Sequence, residues 1–168
     1  MDRRQKINLA GALACAAMLG YAIFYVEGVL GLAPCPLCMF QRVCIGALGV
    51  VFLIAGLHPA RRTGAMVYGV LVLLAAGAAV WVAGRHVWIQ AQPPGTVPSC
   101  GAPLDALMQM FPLFEVVAKV MKGGGECANV DWTFLGLAMP AWVLIAAAVL
   151  GLVGIFNNLI TPARARRA

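Results

Sequence analysis

Residues 35–57 of the chain are CPLCMFQRVCIGALGVVFLIAGL. From about Cys38 to Leu57 this stretch is apolar except for Gln41 and Arg42. About 20 helical residues cross the roughly 30 Å hydrocarbon core of a bilayer, so the stretch predicts a transmembrane helix. Three further segments have similar length and polarity, and they predict spans at about 7–26, 65–88 and 139–156.

Composition extends this interpretation to the whole chain. Of its 168 residues, 62% are hydrophobic and 11% are charged, whereas soluble domains carry about 25% charged residues. Outside the spans there are mainly two connections, a short one at about 27–37 and a long one at about 89–138. We therefore predict an all-α integral membrane protein with a single domain over residues 1–168, a four-transmembrane-helix bundle in up-down-up-down order.

Basic residues lie at alternate ends of the predicted spans. The positive-inside rule assigns their side to the cytoplasm. They are Arg3, Arg4, Lys6, Arg61, Arg62, Arg164, Arg166 and Arg167. The opposite side carries most of the acidic residues, so we expect both termini in the cytoplasm and both connections on the outer face. This asymmetry accounts for the net charge of +6 and argues against nucleic-acid binding.

The N-terminus permits a second interpretation. Basic residues precede an apolar stretch, and Leu13-Ala14-Cys15 resembles a lipoprotein cleavage site. However, the apolar run continues to Val26, which is too long for the core of a signal peptide. We expect an uncleaved first span in which Cys15 is a small buried residue, and we expect Cys44 to be a packing residue of the second span.

The long outer connection differs from the spans in its composition. Residues 104–121 are rich in Leu, Met, Phe and Val with charges interspersed, which predicts a short helix, interrupted near Pro112, with its apolar face on the membrane surface. Gly123-Gly124-Gly125 follows, directly before Glu126 and Cys127. This triplet indicates either a hinge that lets Cys127 reach more than one partner or a disordered tip.

Cys35 and Cys38 stand where the chain enters the second span. Their spacing lets two sulfurs meet at a helix start, and Pro36 suits that position because it has no N–H to leave unpaired. The positive end of a helix favours the thiolate form of a cysteine. Arg42 follows Cys38 by four residues and shares its face of the helix.

Arg42 has three interpretations. Its charge can stabilise a Cys38 thiolate, or it can polarise a carbonyl oxygen of a bound acceptor. Alternatively, it reaches the membrane interface and pairs with phosphate. An arginine inside a span is unfavourable enough to indicate function, and its position beside a dithiol favours the first two roles.

Cys100 and Cys127 bracket most of the long outer connection. Four cysteines on an oxidising face argue for two disulfides, which are either redox-active or a structural staple for the loop. Four thiolates also suit zinc, but the C-x-x-C is not repeated and an oxidising compartment favours disulfides. We therefore predict no metal.

Two histidines lie at opposite ends of the predicted bundle, which argues against a haem held by both His58 and His86. His86, near Trp81 and Trp88, is placed either to hydrogen-bond an acceptor carbonyl or to sit in an interfacial aromatic belt. The chain has no Gly-rich nucleotide motif. Electrons from its thiols must then leave through a lipid-soluble carrier, and a quinone suits an apolar slot between helices.

These features together resemble the disulfide bond formation protein B (DsbB) family of bacterial inner membranes, over essentially the whole chain. The resemblance is carried by four spans, Cys35-x-x-Cys38 followed by Gln41-Arg42, His86 ending span three, the pair Cys100/Cys127, and Cys127-Ala128…Trp132-x-Phe134-Leu135-Gly136-Leu137-x-Met139-Pro140-x-Trp142. It implies a multi-pass inner-membrane enzyme that reoxidises a periplasmic thioredoxin-fold dithiol oxidase (DsbA-like) and reduces ubiquinone or menaquinone.

The resemblance also implies a role for each site residue. A thiolate of the reduced partner attacks Cys100 and releases Cys127. Either the partner's second thiol then resolves the mixed disulfide, or Cys127 first attacks Cys35. Cys38, beside Arg42, donates to the quinone, with His86 as a further quinone-binding residue.

Two other function classes remain as alternatives. A vitamin K epoxide reductase-like enzyme shares four helices and a C-x-x-C, but its active dithiol lies late in the chain. A four-helix transporter with structural disulfides usually needs an acidic residue at mid-membrane. The acids of this chain all lie near span ends or in the outer connection, which disfavours a transporter.

Overall fold

A computed structural model describes residues 2–58, 62–93, 104–130 and 132–160. Four of the described helices are long and apolar enough to cross a membrane, which confirms the predicted four-helix architecture. Helix α1 (Arg3–Gly20) continues as a π-helical segment (Tyr21–Glu27), and helix α2 covers Pro36–Leu57. Helix α3 covers Arg62–Gln90.

Between α3 and the last span lie three short helices: α4 (Leu104–Met110), α5 (Leu113–Lys122) and α6 (Gly125–Ala128). Two short antiparallel strands follow, β1 (Thr133–Phe134) and β2 (Leu137–Ala138). Helix α7 (Met139–Ile155) then continues as a second π-helical segment (Phe156–Ile160). Pro140 lies in the first turn of α7, where its missing N–H leaves nothing unpaired.

Small residues let the long helices approach one another closely. α1 packs chiefly against α2, and α3 against α7 and α2. A Cβ added at Gly49 would lie 2.9 Å from Cβ of Cys15, so this crossing of α1 and α2 requires glycine. Cys15 is buried there, as predicted, and Cys44 is half-buried against the same core. Close backbone approach of this kind is typical of helix contacts in membranes.

Helices α4 and α5 occupy the stretch in which one interrupted helix was predicted, with the break at Phe111-Pro112. The structure differs in where the apolar face of α5 points. Val116 and Val120 are buried against Leu37 and Ile89, at the ends of α2 and α3 that adjoin the cysteines. Leu113 and Phe114 are exposed. The valines pack inward because those helix ends would otherwise leave apolar surface uncovered.

The β-hairpin was not predicted. Its turn is Leu135-Gly136, with φ angles of 50° and 79°, which is the two-residue turn that suits the twist of paired strands. Leucine is rare in that conformation because its Cβ crowds the backbone. The indole N–H of Trp142 donates to the Phe134 carbonyl at 3.0 Å, so the hairpin is fastened to α7.

The two ends of the bundle differ. At the end near the chain termini, which we call the terminal end, Asn8, Asn157 and Asn158 are buried and hydrogen-bonded to one another. These bonds join α1 to the second π-helical segment. The opposite end, which we call the cysteine end, carries Cys35, Cys38, His86 and Cys127.

Candidate functional site

Cys35 occupies the N-cap of α2. Its sulfur accepts a hydrogen bond from the Cys38 backbone N–H at 3.4 Å, and the two sulfurs lie 3.0 Å apart. Pro36 fills the first helical position, where a missing N–H leaves nothing unpaired. The cap and the proline thus begin the helix so that both sulfurs lie at its positive end, where negative charge is stabilised.

His86 links this pair to the outer segment of the chain. The ring is buried, with 2% of its surface exposed. Its Nδ1 lies 2.8 Å from Nε2 of Gln41, and its Nε2 lies 3.1 Å from the Cys127 carbonyl oxygen and 3.8 Å from Sγ of Cys35. A carbonyl oxygen only accepts, so Nε2 carries the proton and Nδ1 of the neutral ring accepts from the Gln41 amide.

The role of Gln41 was missed by the sequence analysis, which noted it only as a polar residue within a span and as part of a motif. Gln41 is buried, with 4% of its surface exposed. The available signal was its spacing: Gln41 follows Cys38 by three residues and therefore lies on the same side of α2. A buried amide needs a hydrogen-bond partner, and in this fold the partner comes from α3.

Cys127 is brought next to Cys35 although the two are far apart in the chain. The sulfurs of Cys35 and Cys127 and Nε2 of His86 all lie within 4.8 Å of one another. Cys127 is buried in α6, outside the membrane-spanning helices. A hydrogen-bonding interaction with the Cys35 side chain, followed by burial, raises the pKa of the Cys127 thiol well above its ordinary value.

The glycine triplet before Cys127 forms a defined connection between α5 and α6. Gly123 has a φ of 83°, a conformation that favours glycine. A Cβ there would lie 2.5 Å from Cδ1 of Ile89. The backbone therefore passes directly over the end of α3 on its way to Cys127.

Arg42 is paired with a carboxylate. It forms a salt bridge with Glu27, and its second terminal nitrogen donates to the Ala22 carbonyl at 3.3 Å. Both partners belong to the first π-helical segment. Sequence analysis placed Arg42 correctly on the Cys38 face of α2 but did not identify Glu27 as its counter-ion. An arginine within a span needs such a partner because its desolvation is unfavourable.

A cavity of about 1300 Å³ opens beside these residues. Cys35, Cys38, Gln41, Arg42 and His86 contribute to its lining. An aromatic wall faces them, formed by Tyr21, Trp132, Phe134 and Trp142. The rings of Trp132 and Phe134 are stacked with centroids 6.0 Å apart, and the rings of Phe134 and Trp142 lie 5.9 Å apart.

Five of the six residues that the sequence singled out therefore gather at one end of the bundle: Cys35, Cys38, Arg42, His86 and Cys127. The sixth, Cys100, lies outside the described residues together with Pro98 and Ser99 before it. Cys35 lies close to both Cys38 and Cys127, and this arrangement permits disulfide exchange, which requires a thiolate to meet a disulfide sulfur. The cavity adds a mainly apolar chamber, which suits an apolar ligand that carries a few polar groups. Its polar lining residues are Arg42, Gln41, His86, Gln90 and Asn129.

Comparison with known proteins agrees with this chemistry. The family model for disulfide bond formation protein DsbB matches residues 3–157. A disulfide bond formation protein B from Xanthomonas oryzae pv. oryzae (strain MAFF 311018) is 51% identical over 138 residues, which cover 82% of this chain and 80% of the relative. The protein of the same name from Marinobacter nauticus is 46% identical over 144 residues, covering 86% and 85% of the two chains.

Proposed function

The chain belongs to the disulfide bond formation protein DsbB family, and from that membership we propose that it reoxidises a periplasmic, DsbA-like dithiol oxidase and passes the electrons to a membrane quinone. Family membership makes the protein a multi-pass membrane disulfide oxidoreductase. The partner, the electron acceptor, the membrane sides and the roles of individual residues are the parts that we propose.

The observation that carries the proposal is the alignment of three sulfurs at the cysteine end. Sγ of Cys35 lies 3.0 Å from Sγ of Cys38 and within 4.8 Å of Sγ of Cys127. Once the partner has opened a Cys100–Cys127 disulfide, the released Cys127 thiolate attacks Cys35 of the Cys35–Cys38 disulfide. The Cys35–Cys127 bond forms, the Cys35–Cys38 bond breaks, and Cys38 leaves as a thiolate. One disulfide is exchanged for another, so no net electrons move within the protein in this step.

Cys100 is the proposed entry point for electrons. A thiolate of the reduced partner attacks Cys100 of a Cys100–Cys127 disulfide and releases the Cys127 thiolate. The partner's second thiolate then attacks the partner's own sulfur in the mixed disulfide, which frees Cys100 and leaves the partner oxidised. Two electrons have thereby entered the protein. The freed Cys100 thiolate then attacks Cys127, which re-forms the Cys100–Cys127 bond, breaks the Cys35–Cys127 bond and leaves both electrons on Cys35 and Cys38.

His86 and Gln41 are proposed to hold Cys127 in register with Cys35. The N–H at Nε2 of His86 donates to the Cys127 carbonyl, and Gln41 keeps Nδ1 unprotonated. The same N–H faces Sγ of Cys35 at 3.8 Å. It is therefore placed to stabilise negative charge on that sulfur when Cys35 is a leaving group, because hydrogen bonds to charged acceptors are the stronger ones.

The cavity residues fit a quinone, either ubiquinone or menaquinone. Arg42 and Gln41 offer N–H donors for carbonyl oxygens, His86 lines the same cavity, and the aromatic wall offers faces for ring packing. When bound, a quinone accepts two electrons and two protons. Cys38 lines this cavity and is the proposed donor sulfur, and the Cys35–Cys38 disulfide would re-form as the two electrons leave the pair. Arg42, held by Glu27, supplies a fixed positive charge beside it.

We also propose that the whole chain acts as a single membrane domain, with both termini in the cytoplasm and the cysteine end in the periplasm. The basic residues at the terminal end support this orientation through the positive-inside rule. It places the thiols on the face where disulfides persist.

Quinone reduction by the purified protein tests the proposal, with a reduced thioredoxin-fold oxidase as electron donor. We expect wild-type turnover, and loss of turnover in Cys38→Ser and in Cys100→Ser. Cys44→Ser is the matched control, because Cys44 shares α2 with Cys38 and takes no part in the relay. Absence of quinone reduction in the wild type would favour structural disulfides. Failure of Cys38→Ser alone would mean that electrons enter the first pair directly.

A further inference from the structure

Three potential metal ligands meet at the cysteine end. They are Sγ of Cys35, Sγ of Cys127 and Nε2 of His86, within 4.8 Å of one another. His86 and Cys127 are buried and Cys35 is half-buried. We propose that the fully reduced protein binds one thiophilic divalent cation, of the Zn²⁺ class, through Cys35, Cys127 and His86.

The separations suit a tetrahedral ion. Zinc binds sulfur at about 2.3 Å and imidazole nitrogen at about 2.0 Å, so its ligand atoms lie roughly 3.6–3.8 Å apart. Sγ of Cys35 and Nε2 of His86 are already 3.8 Å apart. The remaining pairs lie within 4.8 Å, so side-chain movements of about 1 Å close the site. Two cysteines and one histidine, with a fourth position left open, form a known set of zinc ligands.

The thiol of Cys38 is close enough to serve as the fourth ligand. Sγ of Cys38 lies 3.0 Å from Sγ of Cys35, and Cys38 lines the neighbouring cavity. From the sequence, a zinc site of four thiolates was disfavoured because the C-x-x-C is not repeated and an oxidising compartment favours disulfides. The ligand set that the fold assembles is different, because α3 contributes a histidine to it.

The Gln41 side chain can hydrogen-bond to His86 in both the metal-free and the metal-bound protein. In the metal-free protein the Nε2–H of His86 donates to the Cys127 carbonyl. To bind a metal through Nε2, the ring must carry its proton on Nδ1. The Gln41 side chain, 2.8 Å away, then turns its amide so that the oxygen accepts from Nδ1. Partners of this kind orient metal-binding histidines, and their loss typically weakens binding about 10–100-fold.

Metal binding would depend on the redox state. Cys35 and Cys127 must both be thiolates, so the ion displaces two thiol protons and no electrons move. A protein with its Cys35–Cys38 bond intact has no site. If the proposed function is correct, the ion traps the over-reduced enzyme, because it holds the two sulfurs that must next form disulfides.

Titration of the detergent-solubilised, fully reduced protein with Co²⁺ tests the inference. Co²⁺ is the spectroscopic probe because thiolate-bound tetrahedral Co²⁺ absorbs visible light. We expect one ion per chain, displaced by Zn²⁺, and no binding by the oxidised protein. Cys127→Ser and His86→Ala should bind at least about tenfold more weakly, and Gln41→Ala about 10–100-fold more weakly.

The controls are His58→Ala and Cys44→Ser, which remove a histidine and a cysteine outside the cluster and should leave binding unchanged. Circular dichroism of every variant checks that the helices are retained. Cys127→Ser, which is nearly isosteric, keeps the test decisive if His86→Ala does not fold. Unchanged binding by a folded Cys127→Ser variant would overturn the inference, because the dithiol alone would then account for the metal.

Turnover measured in parallel with a chelator present separates the two proposals. A protein that reduces quinone but binds no Co²⁺ in its reduced state contradicts the metal site alone. A protein that binds Co²⁺ as expected but never reduces quinone contradicts the proposed function and leaves the site standing.

Discussion

The bundle buries a polar cluster at each end, and the two clusters are built differently. At the terminal end, three asparagine side chains bond to one another and to backbone carbonyls of Arg4 and Gly154. At the cysteine end, thiols, an imidazole and a guanidinium lie beside a cavity of about 1300 Å³. The asparagine amides hydrogen-bond across helices and hold them together. The thiols and the imidazole at the cysteine end lie beside a cavity that can admit a ligand, which is the arrangement expected of a reactive site.

Loss of a relay thiol should have the largest effect. In Cys38→Ser we expect quinone-linked turnover to fall by roughly 10³-fold or more, as for removal of a catalytic nucleophile, while thermal unfolding changes little. In Asn8→Ala, at the opposite end, we expect the reverse pattern. Both predictions are checked by measuring quinone-linked turnover per folded molecule and the thermal unfolding transition for each variant. If the Asn8→Ala variant folded but lost activity, the terminal end would also contribute to turnover, and the assignment of activity to the cysteine end alone would be wrong.

A second prediction concerns the raised pKa of the Cys127 thiol. Since a raised pKa leaves little thiolate at pH 8, alkylation of Cys127 in the reduced protein should be slow and should accelerate with pH without a plateau below about pH 10. The Cys35→Ala variant removes the interaction that contributes most to the raised pKa of Cys127. The pKa should therefore fall, and alkylation at pH 8 should become about tenfold faster for every unit by which it falls.

Iodoacetamide labelling of Cys127, resolved by mass spectrometry, measures this rate. Cys44→Ser is the control and should label Cys127 as the wild type does. Equal rates in Cys35→Ala and the wild type would show that Cys35 and Cys127 do not interact in the reduced protein.

The terminal cluster should matter for stability. The Asn8 amide oxygen accepts from both Asn157 and Asn158, and its nitrogen donates to Asn158. Hydrogen bonds between helices in membranes contribute about 0.6 kcal/mol on average. We therefore expect Asn8→Ala to lower the free energy of unfolding by about 1–2 kcal/mol, measured by denaturation in detergent micelles. An Asn8→Ala variant that is as stable as the wild type would show that these bonds do not stabilise the bundle.

The smallest expected effect is the coupling between Arg42 and Glu27, which lie at the edge of the cysteine end with 18% and 29% of their side chains exposed. A double-mutant cycle with Arg42→Ala and Glu27→Ala should give a coupling of about 0.5–1 kcal/mol in unfolding free energy. Arg42→Ala should in addition weaken quinone reduction, because it removes a charge beside Cys38. A coupling of zero would remove Glu27 from the description of the site.

Much of the fold was accessible from local patterns. The four spans follow from hydropathy, the break near Pro112 follows from proline chemistry, and the start of α2 follows from Pro36. The β-hairpin was missed because Leu135 occupies a left-handed conformation that its side chain disfavours. The inward packing of Val116 and Val120 was missed because an amphipathic face fits a membrane surface and a protein surface equally well.

Hydropathy and charge along the chain are enough to establish a four-helix membrane protein with its thiols near one end. These properties are sums over neighbouring residues and need no knowledge of helix rotation. Packing alone decided that Cys127 meets Cys35, that Gln41 orients His86, that Glu27 pairs with Arg42, and that Asn8 meets Asn157 and Asn158. Each of these contacts joins segments distant in the chain, and its distance depends on how helices turn and cross when small residues let them approach.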